Sequence, residues 1–354
     1  MAYTTIDNPE LYFQVKTYSG TGSSQAITLD GDENMQPDFV WLNARSNGTY
    51  GHAIYDSVRG VNRALHADTN SAEDNDDDGS NTSLNTFGSD GFTLGGYYNK
   101  VNQSGQTFVA WCWKVNSSTA SNSTGDITAT VAANDTAGIS IMSYTGTGSN
   151  AQTIGHSLSV KPYVYIIKGR TYAGSWQMFH QDTGAGGRWQ LANEEGFDTS
   201  TTVFGNTVPT NSVLYVGATS STDSVTNKVS ETHICYAFRP IQGFSKFGEY
   251  NGNAATDGNF IWLGFRPALV IIKGDNSEHW SMYDNKREGY NVDNDVLYPD
   301  DTDAEGSSDD IDFLSNGFKI RRQTGLLNDN EDYIYMAWAE APFVNSKGVP
   351  CNAR

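Results

Sequence analysis

Alternating carboxylates at Asp74-x-Asp76-x-Asp78-Gly79 are the first residues whose types and spacing could do chemistry. Every second side chain points the same way, and the glycine permits a tight bend, so such a run resembles the start of an oxygen-ligand calcium loop. A second run, Asp301-x-Asp303-x-Glu305-Gly306, has the same form. A complete loop ends in a bidentate Glu at its twelfth position, where these runs carry Asn85 and Asp312. No helix signal flanks either run. The expectation is a solvated acidic loop, with Ca2+ as a weak ligand of Asp74, Asp76, Asp78 and of Asp301, Asp303, Glu305. No cofactor is required.

Other chemistries find less. Glycoside hydrolysis needs two acids flanking a sugar, but here the acids cluster in loops. The six histidines show no His-x-His or His-x-x-x-His spacing, and no Gly-x-Ser-x-Gly is present. Gly184-Ala-Gly-Gly187 precedes no helix and reads as a turn. Asp56-x-x-Arg59 and Asp284-x-x-Arg287 read as local ion pairs, with His180 at the matching place between them. Most of the eight tryptophans lie in apolar strands and are expected in the core. Trp189, beside Arg188 in a Gly-rich stretch, is the one expected to be exposed, and the pair is the candidate glycan contact. No catalytic residue is assigned.

The elements that would position these groups repeat. Pro37-Asp-Phe-Val-Trp-Leu-Asn-Ala-Arg45, Pro162-Tyr-Val-Tyr-Ile-Ile-Lys-Gly-Arg170 and Pro267-Ala-Leu-Val-Ile-Ile-Lys-Gly-Asp275 are three copies of one strand. Each follows a Tyr-x-Gly turn at Tyr18, Tyr144 or Tyr250. Closing strands begin at Phe108, His233 and Tyr333, which are 71, 71 and 66 positions after the prolines. A fixed period of this kind dictates the architecture. The expected organisation is a first repeat over 1–116, a polar linker over 117–127, a second repeat over 128–242, and a third over 243–354 ending in a short polar tail. Short alternating strands with frequent turns predict an all-β chain, with three related antiparallel β-sandwich repeats of jelly-roll or lectin type packed together. The continuous apolar strands predict central positions, buried on both faces.

Composition sets the partners. A net charge of -19 with pI near 4.5 repels phosphate, so neither nucleic acid nor an anionic membrane is an expected partner. No apolar run is long enough for a transmembrane helix, and the N-terminus lacks a signal-peptide profile, so synthesis and folding in a cytoplasm are expected. Three cysteines are present. Cys112 and Cys235 read as equivalent buried free thiols, with Met336 in the third copy, and Cys351 as exposed.

The set Gly138-Ile-Ser-Ile-Met-Ser-Tyr-Thr-Gly-Thr-Gly148, Gly243-Phe-Ser-Lys-Phe-Gly-Glu-Tyr-Asn-Gly252, Gly264-Phe-Arg-Pro-Ala268, Phe313-Leu-Ser-Asn-Gly-Phe-Lys319 and Tyr333-Ile-Tyr-Met-Ala-Trp-Ala-Glu340 resembles an uncharacterised triple-repeat β domain of tail-fibre-like and other virion proteins in marine tailed phages, including cyanophages. The resemblance runs from about residue 10 to 343 and carries no established active site. It implies a non-enzymatic virion structural protein, most simply a tail-fibre or tail-tip component exposed on the particle surface. Other virion proteins, a homo-oligomer (a trimer by preference) and host surface glycans are the partners it implies. A head decoration protein and a lectin-like carbohydrate module are the alternatives, and a glycan depolymerase stands last. Many relatives look like one module of a longer fibre with an N-terminal anchoring segment, so attachment here is expected to use the module's own surface or its short ends.

Overall fold

Proline lacks an N–H and holds φ near −65°, so it belongs at the first residue of a strand or at a bulge. Both uses occur. A computed structural model describes residues 3–75, 83–96, 98–116, 118–218, 226–288, 291 and 293–350. Pro37 and Pro162 precede the strands Phe39–Ala44 and Val164–Gly169. Pro267 lies inside a longer strand, Phe265–Gly274, at a break in register with the neighbouring strand.

These three proline strands hold the same place. In the first repeat the order is opening strand Phe13–Ser19, closing strand Thr107–Trp113, proline strand, and return strand Ala53–Asp56. In the second repeat Ile139–Thr145, Thr232–Phe238, the proline strand and Gln177–His180 follow the same order. Ser245–Asn251, Asp332–Pro342, the proline strand and Ser281–Asp284 repeat it in the third. All these pairings are antiparallel, and the registers agree: Phe39 faces Trp113, Val164 faces Phe238 and Leu269 faces Trp338. The chain is all-β, with the central strands where the sequence places them.

Each main sheet buries two faces. Val40, Leu42 and Cys112 point outward onto a small second sheet of the first repeat, formed by Gln25–Thr28, Gly91–Leu94 and Leu84–Gly88. The second repeat packs Tyr165, Ile167 and Cys235 against Gln152–Gly155 and Val213–Val216 in the same way. The alternate residues Phe39, Trp41, Trp111, Ile166, Tyr236, Ile271 and Met336 face inward and join one core common to all three repeats. Period-2 alternation explains the division, and burial on both faces explains the unbroken apolar runs.

Two expectations need correction. Cys112 pairs with Val40, three past its proline, and Cys235 with Ile167, five past its own. The cysteines are therefore offset by two residues, which keeps both on the outward face without making them equivalent. Both are buried free thiols. The polar stretch 117–127 is also more than a linker, since Ala120–Asn122 pairs with Ala129–Asn134 as an edge of the second main sheet.

Candidate functional site

The inward faces meet through a set of contacts that recurs at each repeat boundary. Ile54, Met178 and Met282 on the return strands pair with Leu65, Trp189 and Leu297. The next residues, His66, Gln190 and Tyr298, each offer a backbone carbonyl to the following repeat. Trp176 Nε1 donates to His66 O at 2.7 Å, and Trp280 Nε1 to Gln190 O at 2.9 Å. The matching residue of the first repeat is His52, whose Nε2 lies 2.9 Å from Tyr298 O. A carbonyl only accepts, so His52 carries its proton on Nε2, leaving Nδ1 to accept from Trp41 Nε1 at 2.8 Å. Burial pushes the His52 pKa down to about 3, which keeps the ring neutral.

Seven residues beyond those carbonyls stand Glu73, Phe197 and Glu305. Eight residues beyond the prolines stand Arg170, Asp275 and Arg45, which meet them. Arg170 holds Glu73 through Nε at 2.8 Å and Nη2 at 2.9 Å. Arg45 holds Glu305 through Nε at 2.9 Å and Nη2 at 2.8 Å. At the third boundary the pair is reduced to Phe197 N–H donating to Asp275 Oδ1 at 2.7 Å. The second repeat thus docks on the first, the third on the second, and the first on the third, a head-to-tail ring closed within one chain.

The local Asp-x-x-Arg pairs sit inside this ring. Arg59 donates to Asp56 through its backbone N–H at 2.8 Å and through its guanidinium. Arg287 Nε donates to Asp284 at 2.7 Å. Closing strands of the neighbouring repeats reach the same carboxylates: Tyr236 OH donates to Asp56 at 2.7 Å and Trp111 Nε1 to Asp284 at 3.0 Å. Burial works against the Arg59 charge, but Asp56, Tyr236 and Glu73 outweigh it and hold the guanidinium firmly protonated. Glu73 is likewise disfavoured by burial, and hydrogen bonds from Arg170 and the charges of Arg59 and Arg170 hold it below the usual carboxylate range. At the matching place His180 lies against the backbone of Tyr335, and burial pushes its pKa down to about 3. Lys168 and Lys273 each place a buried ammonium among three backbone carbonyls, one of them across a boundary at Asn70 or Glu194. Burial pulls both amines down to about 8. On the inner axis an apolar cavity of about 20 Å³ is lined by Trp41, Trp113, Trp176, Ile271, Met336 and Trp338, among others. Its apolar lining offers a water no hydrogen-bond partner, so it stays dry.

The candidate ligands of the third repeat are held apart from one another. Glu305 is held by Arg45 and, through Arg287 Nη1 at 3.1 Å, by a second guanidinium, so its oxygens are turned into the repeat boundary. Asp301 faces His279 at 3.7 Å, and Asp303 is exposed. The set Asp301, Asp303, Glu305 is thus not brought together as a cation loop. Asp74 accepts from Tyr98 OH at 3.0 Å, while Asp76 and Asp78 lie outside the described residues. No group of three metal-binding side chains occurs among the described residues. Trp189 is not exposed: it is 1% accessible, donates to Thr183 Oγ1 at 3.1 Å and packs near Trp280. It pairs with Met178 as part of the sheet that faces the common core, which removes it as a glycan contact. Arg188 pairs with Asp198. The tryptophan that does reach solvent is Trp262, half exposed.

A profile described as a domain of unknown function (DUF7483) matches residues 8–342. The chain belongs to the DUF7483 family. No curated protein and no solved structure matches it. In this DUF7483 domain the sequence signals for the boundary contacts were present but unread. Arg45 and Arg170 stand eight past their prolines, and Glu73 and Glu305 lie in the two acidic runs. Their meeting depends on pairs separated by 97 and 260 positions.

Proposed function

We propose that this chain is a non-enzymatic structural component of a tailed-phage particle, displayed on the particle surface as part of a tail fibre or tail tip. In this reading it serves assembly and host attachment. The resemblance of its motifs to virion proteins supports the assignment. The observation that carries the structural role is the use of the buried charged groups. Asp56 and Asp284 accept from Tyr236 and Trp111 of neighbouring repeats, and Glu73 and Glu305 from Arg170 and Arg45, so these carboxylates are engaged in holding repeats to one another. The three repeats close on one another within the chain, and in this reading its outer surfaces serve contacts with further copies and with other virion proteins.

Labelling of purified particles with an antibody against the chain tests the assignment. Label at a fixed position on the tail is the expected result. Label on the capsid would move the protein to the head-decoration alternative, and its absence from intact particles would reject a virion role.

A further inference from the structure

Repeats that share a fold act as controls for one another. The third repeat also has an outer sheet, whose first strand is Phe260–Trp262, and the first strand of each outer sheet carries a buried isoleucine: Ile27, Ile154 and Ile261. Ile27 pairs with Phe92 and Ile261 with Phe318, so these two sites match in register. The isoleucine is buried in all three repeats, while its neighbours on the other face differ in exposure from repeat to repeat. In the first repeat they are Ala26 and Thr28, both exposed. In the second they are Thr153, half-buried and bonded to Asp126, and Gly155, buried beside Asn122, so the first repeat is the control. In the third they are Phe260, 45% exposed, and Trp262, 50% exposed. Two aromatic rings therefore stand about half exposed at positions where the first repeat carries alanine and threonine. Each exposes apolar surface at a cost that folding does not recover.

The surroundings hold Trp262 in place. Lys246 Nζ lies 4.8 Å from the ring centroid and donates to Trp262 O. That lysine occupies an outward carbonyl of the edge strand, which blunts the edge against pairing with another strand. Gly264, at φ +84°, brings the backbone beside the ring, and Tyr3 OH donates to its carbonyl at 2.9 Å. Lys319, the cross-strand partner of Phe260, is paired with Asp257 at 2.7 Å.

We infer that Phe260 and Trp262 form a stacking platform for the pyranose rings of a neutral oligosaccharide. Side chains two apart on a strand share a face at a spacing of about 7 Å, the scale of one or two sugar residues. Two rings present far less surface than the roughly 800 Å² per partner of a stable protein interface, so a second protein is a poor occupant. Sugars combine apolar C–H faces with hydroxyls, which suits aromatic rings bordered by Lys246 and by the Lys319–Asp257 pair. This inference deepens the attachment part of the proposed function and relocates the glycan contact from Trp189 to the third repeat.

The test uses the full chain titrated with cellotetraose and with the tetramer of N-acetylglucosamine, followed by tryptophan fluorescence and calorimetry. Saturable binding of at least one probe in the millimolar range is expected. A double variant, Phe260→Ala with Trp262→Thr, installs the residues of the first repeat at the matched positions, so it should fold with an unchanged melting midpoint. It should bind the same probe about tenfold more weakly or not at all. Failure of both probes to bind would overturn the inference, as would undiminished binding by the folded variant. A concentration-dependent dimer that the variant abolishes would also overturn it, in favour of self-association. None of these outcomes alters particle labelling, so the virion assignment stands or falls separately.

Discussion

Tyr236 and Asp56, 180 positions apart, meet across the boundary between the first two repeats, the phenol donating to the carboxylate at 2.7 Å. Trp111 makes the matching contact with Asp284. In both cases a closing strand completes the hydrogen bonding of a buried Asp–Arg pair in the adjacent repeat. A carboxylate with two donors tolerates burial better than one with a single partner.

Removing one donor should therefore weaken the whole body. Tyr236→Phe keeps the ring and deletes the hydroxyl, and should cost about 1.5–3 kcal/mol, the worth of a hydrogen bond to a charged group. Asp56→Asn leaves Arg59 buried without its nearest charge and should cost more, about 3–5 kcal/mol. Urea denaturation of both variants checks the order, and a larger loss for Tyr236→Phe would contradict it.

The tryptophan contacts predict a smaller effect. Trp280→Phe fills most of the same space but leaves Gln190 O without its donor. The expected loss is about 1–3 kcal/mol, with Trp176→Phe in the same range because its geometry toward His66 O matches. Thermal melting of the two variants should give similar shifts, and a silent Trp280→Phe would show the contact to be dispensable.

Acid should destabilise the fold through its buried histidines. Burial lowers His52 and His180 to about 3 and His233 to about 4, against an ordinary 6.5. The unfolded chain takes up these protons near pH 6.5 while the folded one does not, so stability is full above that pH and falls as pH drops toward 4. Asp295 and Asp300, raised to about 6 chiefly by burial, act in the opposite sense and offset part of the loss. His180→Gln isolates one contribution. Its stability relative to wild type should improve by up to about 1.4 kcal/mol per pH unit between pH 6 and 4. A difference that stays constant with pH would refute this.

Calcium should not act through the third repeat. Glu305 is already held by Arg45 and Arg287, so millimolar calcium is expected to leave the melting midpoint of an Asp76→Asn, Asp78→Asn variant unchanged. Glu305→Gln, by contrast, should lower stability by about 1–3 kcal/mol by leaving the buried Arg287 short of a charge partner. A calcium-dependent rise in the first variant would assign a cation to the third repeat after all.

Thiol chemistry gives an independent check on the core. Cys112 and Cys235 are fully buried, and burial pushes both thiols up, away from the reactive thiolate. Native labelling with a maleimide should leave Cys112 and Cys235 unmodified, so no more than one of the three cysteines reacts. Rapid modification of a second site would mean that the outer layers open readily.

Local pattern determined the strands of this protein. The proline strands, their apolar alternation, the Asp-x-x-Arg turns three residues long and the matching of Asp56, His180 and Asp284 all follow from spacing within a repeat. Each depends on neighbours a few positions away or on the two-residue period of a strand. What the sequence did not state is which partner each face meets. Trp189 and Trp262 both flank glycine-rich stretches, yet one belongs to the common core and the other to an outer edge. The two cysteines share a face but not a position, because a shift of two residues preserves the side on which a strand residue points. Glu305 lies in an acidic run yet serves as the partner of Arg45, 260 positions away. Those outcomes were decided only when three similar sheets closed on one another. Closure brings together side chains whose separation along the chain bears no relation to their separation in space, and it selects among burial patterns that local sequence leaves equivalent.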